Sequence, residues 1–368
     1  MFILPEKNMI GVDLFAGAGG MSLGATQAGI DVRLAVEADP HAATTYAHNH
    51  PRTQVLVDDI RNIKKLQIPT NGEPTIVFGG PPCKGFSTSN QRTRSARNPD
   101  NWLFREYIRI VKLWKPDWVI FENVKGIAET ENGIFLVSVI GQLQAIGYTT
   151  SWWILNASDF GVPQRRQRLF VVGSLQGLRV QRPAPAVSKP VTVRDAISDL
   201  PNLENGACAN WMPYKCSPTS EYAKNMRERL KQSPNHLVSR NGLHIVKRYK
   251  YVPQGGNWED IPSRLMKNYA DRNRCHTGIY HRLKKDAPSV VIGNYRKNML
   301  IHPREDRGLS VREAARLQSF PDWYEFKGSI GYQQQQVGNA VPPLLARSVF
   351  KLIVEYEQSQ TSMGREGQ

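Results

Sequence analysis

Cys83 is the residue of this 368-residue chain whose setting best suits covalent chemistry. It closes Gly79-Gly80-Pro81-Pro82-Cys83, directly after the apolar run Thr75-Ile76-Val77-Phe78. Two consecutive prolines fix φ and remove two backbone donors, while paired glycines allow a sharp turn or a close approach to a ligand. A thiol presented on such a rigid turn reads as a nucleophile. The segment after it, Lys84 to Asn101, is rich in Ser, Asn, Gly and Arg and reads as a mobile basic loop beside the thiol.

Three further constellations are suited to chemistry. Glu122-Asn123-Val124 follows the apolar stretch Trp118 to Phe121, which places a carboxylate at the carboxyl end of a buried parallel strand, where ligands of such sheets sit. Burial there would let Glu122 hold a proton and donate it to a ring nitrogen near neutral pH; a structural cap or pair explains the residue as well. Gln164-Arg165-Arg166-Gln167-Arg168 precedes the strand Leu169 to Val172. Alternation sends Arg166 and Arg168 to one side of an extended chain, so two guanidinium groups converge on one pocket, unless the run is simply a solvated one. Asp13-Leu14-Phe15-Ala16-Gly17-Ala18-Gly19-Gly20 is a glycine-rich turn between strand and helix, and Glu37 ends the next strand. Helix N-terminal amides at such a turn meet a nucleotide-like ligand, and a carboxylate at the second strand end binds ribose hydroxyls. The dinucleotide fingerprint fails, because Ser22 stands where its third glycine belongs. A tight strand-to-helix turn by itself also accounts for the glycines.

The elements that must position these residues alternate between strand-like and helix-like patterns from Met9 to Gly173, the mark of a mostly parallel sheet with crossover helices. Strands are expected at Ile10–Phe15, Val32–Glu37, Gln54–Val57, Thr75–Phe78, Trp118–Glu122, Thr149–Leu155 and Arg168–Val172. Helices are expected at Met21–Ala28, His41–His48, Trp102–Trp114 and Ile134–Ile146. After Gly173 the texture changes to scattered prolines, tryptophans, tyrosines and basic residues, which predicts a second, irregular domain. An amphipathic helix is expected at Ser310–Phe320, with Ser310 and Glu313 forming a capping box. Gly338 onward reads as a loop running into a last helix, Pro343–Glu355, followed by a disordered tail from Gln358.

The net charge is +16. Ser174 to Glu325 holds 26 Lys and Arg against 14 Asp and Glu, or +12, which leaves +4 for the rest of the chain. A polyanionic partner, contacted mainly through the middle portion, is therefore expected. The four cysteines form no Cys-x-x-Cys pair, so neither a disulfide framework nor a metal site is expected. The apolar start Met1 to Leu4 is too short for a signal segment, and no run of about 18 apolar residues follows. A cytoplasmic protein without membrane contact is the expectation.

Taken in order, Asp13 to Gly24, Glu37, Asp59-Ile60, Pro81-Pro82-Cys83, Glu122-Asn123-Val124, Gln164 to Arg168, Arg312-Glu313-Ala314-Ala315-Arg316-Leu317-Gln318 and Gly338-Asn339-Ala340-Val341-Pro342-Pro343 resemble the ordered motifs of the bacterial C5-cytosine DNA methyltransferases, over nearly the whole chain. The resemblance implies a Rossmann-like, S-adenosylmethionine-dependent α/β fold with a doubly wound sheet. Residues 1–175, completed by 326–368, would form the catalytic domain, and 176–325 the smaller target-recognition domain. It implies that Cys83 adds to C6 of a cytosine flipped out of duplex DNA, while Glu122 holds N3, Arg168 contacts the base O2 and Arg166 supports the pocket. C5 then takes the methyl group, leaving S-adenosylhomocysteine. Implied cofactor contacts are Phe15 on adenine, Glu37 on ribose, Asp59 and Ile60 on the adenine edge, Gly17, Gly19 and Gly20 at the methionine portion, and Pro82, Asn339 and Ala340 closing the site. Ala38 departs from the bulky apolar residue usual in the family. The loop after Cys83, carrying Arg92, Arg94 and Arg97, becomes a lid over the flipped base, and Tyr249 to Pro262 a candidate reader of base edges. A monomer acting on double-stranded DNA, with a cognate restriction endonuclease or defence system as partner, is the expected setting. A transfer-RNA cytosine-5 methyltransferase is the alternative; the long basic segment before Ser310 argues against it.

Overall fold

The structure, a computed structural model, describes residues 9–82, 102–267, 278–293, 295 and 299–366. Cys83 and the expected lid lie outside the described residues. The chain packs as two units: Met1–Asn156 with Gln167–Ala186 and Pro343–Gln368, and Ala157–Arg166 with Val187–Pro342.

The first unit is built on seven strands: β1 (Ile10–Leu14), β2 (Asp31–Glu37), β3 (Gln54–Val57), β4 (Thr75–Gly79), β5 (Trp118–Val124), β6 (Thr149–Asn156) and β7 (Gln167–Ser174). They lie side by side in the order β3-β2-β1-β4-β5-β7-β6. The first five pair in parallel, and β7 runs antiparallel to both β5 and β6. Every residue of β1 and β4 is buried, as expected of strands covered on both faces, and their near-continuous apolar sequences follow from that. Parallel neighbours need crossovers, which α1 (Gly20–Gln27), α2 (Pro40–Asn49), α3 (Phe104–Trp114), α4 (Gly126–Glu129) and α5 (Ile134–Ile146) supply along with connecting loops. Asp39 caps α2 by accepting from the His41 backbone N–H, with Pro40 at the first helical position. Val12, Val77, Tyr107, Val119, Phe121 and Val139 belong to the main apolar core of this unit.

The last helix, Pro343–Glu366, outruns its expected end at Glu355 and takes up most of the tail expected to be disordered. No proline interrupts it, and Glu357 accepts from the Trp118 indole N–H at 2.5 Å, which anchors it beyond that point. It packs on α1, where a Cβ on Gly24 would lie 2.7 Å from that of Ala346, and on β4, where Phe350 meets Phe78 at 4.8 Å. β1 is one residue shorter than expected, because Phe15 takes a left-handed φ of 61° that no strand continues.

The second unit is irregular. It contains α6 (Val193–Ile197), α7 (Glu221–Arg227), α8 (Leu243–Tyr249), α9 (Val311–Leu317) and α10 (Ile330–Asn339), with two-residue ladders pairing 208–209 to 236–237 and 212–213 to 232–233. Residues 157–166 and 326–342, expected with the larger domain, cluster in this unit, and 330–339 form a helix. The capping box of Ser310 and Glu313 is present. The helix it starts is not amphipathic, however: every residue from Val311 to Leu317 is buried. Its polar positions find partners inside the protein. Arg316 pairs with Asp199 at 3.0 Å and Asp322 at 2.6 Å, Glu313 with Arg307 at 2.8 Å, and Arg312 donates to the carbonyls of Pro234, Pro321 and Tyr324. Among the described residues no single helix is long and apolar enough to cross a membrane.

Candidate active site

Two adjoining strand ends of the first unit build a nucleoside-shaped site. After β1 the chain takes left-handed φ at Phe15 (61°), Gly17 (56°) and Gly19 (87°), so it doubles back just before α1. Glycine relieves the strain at two of these positions; at Phe15 it is tolerated, a cost typical of functional turns. A Cβ on Gly17 would meet nothing within 4 Å, so the turn borders open space. Glu37, ending β2, accepts from the Gly17 N–H through Oε2 and from the Asp39 N–H through Oε1, both at 2.7 Å. Burial raises the Glu37 pKa, and these two N–H groups oppose the rise. A carboxylate at the second strand end, a partly exposed aromatic ring and helix-start amides beside open space are groups that suit a nucleoside ligand. Asp59 and Ile60 follow β3. Asp59 caps the short turn Ile60–Asn62 and pairs with Arg61, whose guanidinium holds its carboxyl down to about 2. The Ile60 side chain is buried in the core and its carbonyl accepts from Arg109.

The turn leading to Cys83 is described as far as Pro82. Its geometry explains the two glycines. A Cβ on Gly79 would fall 2.0 Å from the Leu14 carbonyl, and one on Gly80 would fall 2.4 Å from Oε2 of Glu122. Asn123 then pins the turn by donating to the Pro81 carbonyl at 3.1 Å. Glu122, near the carboxyl end of β5, is 7% exposed, and the Arg168 Nε lies 2.9 Å from its Oε1. Register produces this pair: β5 and β7 align Glu122 with Phe170 and Val124 with Arg168, so Arg168 is the diagonal neighbour of Glu122 on one face. The expectation that burial alone governs Glu122 omits this guanidinium, whose charge opposes desolvation. Burial in turn lowers the Arg168 pKa, and Glu122 counters that.

Arg166 has another partner. It belongs to the second unit, is 1% exposed, and donates from Nη2 to the Gly338 carbonyl at 2.9 Å. Arg168 is thus paired with Glu122, and Arg166 with the segment that carries Asn339 and Ala340. Asn339 ends α10 and is exposed, while Ala340 caps it with an N–H donated to Gln336. A Cβ on Gly338 would lie 1.8 Å from the Gly293 carbonyl, which requires glycine there. Gln164 and Gln318, whose roles the sequence did not disclose, are buried and joined at 3.0 Å; Gln318 also donates to Val337 at 2.8 Å and Gln164 accepts from the Ile292 N–H. Their place inside two of the ordered motifs was the available signal.

The model of the C-5 cytosine-specific DNA methylase family matches residues 9–355. The Type II methyltransferase M1.HphI of Haemophilus parahaemolyticus is 36% identical over 95% of this chain and 87% of its own length. The Type II methyltransferase M.DdeI of Desulfomicrobium norvegicum is 34% identical over 94% and 88%. Among solved structures, a prophage-encoded DNA modification methyltransferase of E. coli superposes with a TM-score of 0.76 at 26% identity, covering 95% of this chain and 99% of its own. The S. pombe Dnmt2 methyltransferase, at 18% identity and a TM-score of 0.57 over 94% and 98%, shares the fold.

Proposed function

Because this chain belongs to the C-5 cytosine-specific DNA methylase family, we propose that Cys83, Glu122 and Arg168 carry its reaction and that the turns after β1, β2 and β3 hold its methyl donor. It is a DNA (cytosine-5-)-methyltransferase of the S-adenosylmethionine-dependent kind. The carrying observation is that the Glu122 carboxylate lies directly against Gly80, three residues before Cys83, with Arg168 behind it.

Cytosine C5 is a weak nucleophile until the ring is activated. In this reading the Cys83 thiolate adds to C6 while Glu122 holds N3 and assists its protonation, leaving C5 enamine-like. Arg168 fixes the Glu122 carboxylate and offers its remaining donors towards the base O2. S-adenosylmethionine supplies an electrophilic methyl group on a sulfonium. Phe15 contributes the ring for adenine, Glu37 the acceptor for ribose hydroxyls, Asp59 and Ile60 the adenine edge, and Gly17, Gly19 and Gly20 the close backbone approach. Pro82 lies on the nucleophile's turn, and Asn339 and Ala340 belong to the same assignment. Loss of the C5 proton and departure of Cys83 restore the ring. Because the target atom is shielded in a stacked duplex, the cytosine must be extruded, at a cost of a few kcal/mol. The basic stretch from Ser174 to Arg307 then serves to grip phosphates and read the site. The Type II names of the relatives support a restriction-modification setting with a cognate endonuclease.

Bisulfite sequencing of plasmid DNA from cells expressing the wild type or Cys83→Ser tests the assignment. A protected cytosine in one recurring sequence context, lost in the variant, is the expected result. Methylation that persists in Cys83→Ser would sink the role given to the thiol.

A further inference from the structure

Behind the glycine turn lies a buried polar assembly that none of the roles above uses. Tyr46 and His50 are one helical turn apart at the end of α2 and share a face, with ring centroids 4.5 Å apart. The Tyr46 hydroxyl is completely buried and donates to Ser22 Oγ at 2.7 Å; Ser22 in turn donates to the Asp13 carboxylate at 2.6 Å. The His50 ring, 7% exposed, donates to the carbonyl of Gly19, the left-handed residue that starts α1. At its other end α2 begins at Asp39, whose N–H is held by the same Glu37 that holds Gly17. α2 therefore braces the donor site at two points, its ribose carboxylate and its glycine turn.

Such bracing has a physical purpose. Three left-handed residues in five make a turn that would relax if unsupported, and a ligand that needs it formed would bear the ordering cost on binding. Hydrogen bonds from a packed helix keep the turn formed beforehand. We infer that Tyr46 and His50 are positioning residues for the methyl donor, acting through Ser22 and the Gly19 carbonyl to set donor affinity without touching the donor. The inference rests on the donor site assigned above. Neither residue stood out in the sequence, because a Tyr and a His on the inner face of a short helix read as ordinary core.

Calorimetric titration of S-adenosylhomocysteine into the full chain without DNA is the test. Tyr46→Phe keeps the ring and removes only the hydroxyl, and His50→Phe keeps the stacking and removes only the N–H. Each should raise the donor Kd about 3–10-fold, the range of one buried hydrogen bond, while kcat at saturating donor and DNA stays within about twofold. Tyr222→Phe removes another buried hydroxyl, one bonded to the Arg316 carbonyl in the second unit, and should lower Tm without moving the donor Kd. A donor Kd within about twofold of wild type in both α2 variants, or a kcat loss at unchanged Kd, overturns the inference. Should Tyr46→Phe fail to fold, Ser22→Ala breaks the same chain and carries the same two outcomes. A wild type that binds no donor would instead bring down the donor-site assignment itself.

Discussion

Gly80→Ala probes the contact that ties the acid to the nucleophile's turn. The added Cβ would lie 2.4 Å from Oε2 of Glu122 and 3.6 Å from both its Cδ and its carbonyl oxygen. Ordinary contact begins near 3.4 Å, so the carboxylate must retreat by about 1 Å. A free side chain would do this cheaply. Glu122 is 7% exposed and held by Arg168 at 2.9 Å, so it moves only by loosening that ion pair and turning away from the base it is meant to hold. Overpacking of this kind costs about 1–3 kcal/mol of stability. A reacting group displaced by about 1 Å costs about 100-fold in rate. Single-turnover transfer of labelled methyl groups at saturating DNA and donor reads the rate, and calorimetry reads donor affinity. The expected pattern is a rate lowered about 100-fold with donor Kd within about threefold, since the glycine turn after β1 is untouched. A soluble Gly80→Ala protein with a rate within about threefold of wild type would refute the role given to Glu122. A loss confined to donor affinity would refute the placement of the contact.

Two further outcomes follow from buried charges. Burial raises the Asp13 pKa to about 8 from an ordinary 3.8, with the Ser22 hydrogen bond opposing and Glu37 adding to the rise. The folded state thus keeps a proton that the unfolded chain releases between about pH 4 and 8. Stability should fall as pH rises through that window, by up to about 1.4 kcal/mol per pH unit, and Asp13→Asn should flatten the fall in Tm; parallel curves for the two proteins would show Asp13 ionised throughout. Arg316→Met leaves Asp199 and Asp322, both fully buried, without their shared guanidinium, so urea unfolding should show a loss of about 3–5 kcal/mol; a loss below about 1 kcal/mol would mean that Arg227 beside Asp199 and Arg312 beside Asp322 balance the two carboxylates.

The chemistry-bearing turns were legible because each demands particular residue types in a short stretch. A glycine turn after a buried strand and a carboxylate at a strand end are local requirements, and local requirements are written in neighbouring residues. Periodicity likewise located all seven strands of the sheet and the helix Ile134–Ile146. The misreadings were non-local. The sequence predicts an amphipathic α9 because Arg312, Glu313 and Arg316 ordinarily face water; their counter-charges lie as far off in the chain as Asp199. The final helix was stopped early because the anchor of Glu357 is Trp118, some 240 positions away.

By itself the sequence determined the order of the strands along the chain and, through the motifs it shares with one family, the reaction class, since both are carried by residue types and their succession. Tertiary structure alone decided who meets whom. Inserting β7 antiparallel between β5 and β6 delivers Arg168 to Glu122. Folding α2 behind the first turn turns an ordinary Tyr46 and His50 into its supports. The first pairing depends on strand order and register and the second on how α2 packs behind the turn, and neither leaves a mark at the residues themselves.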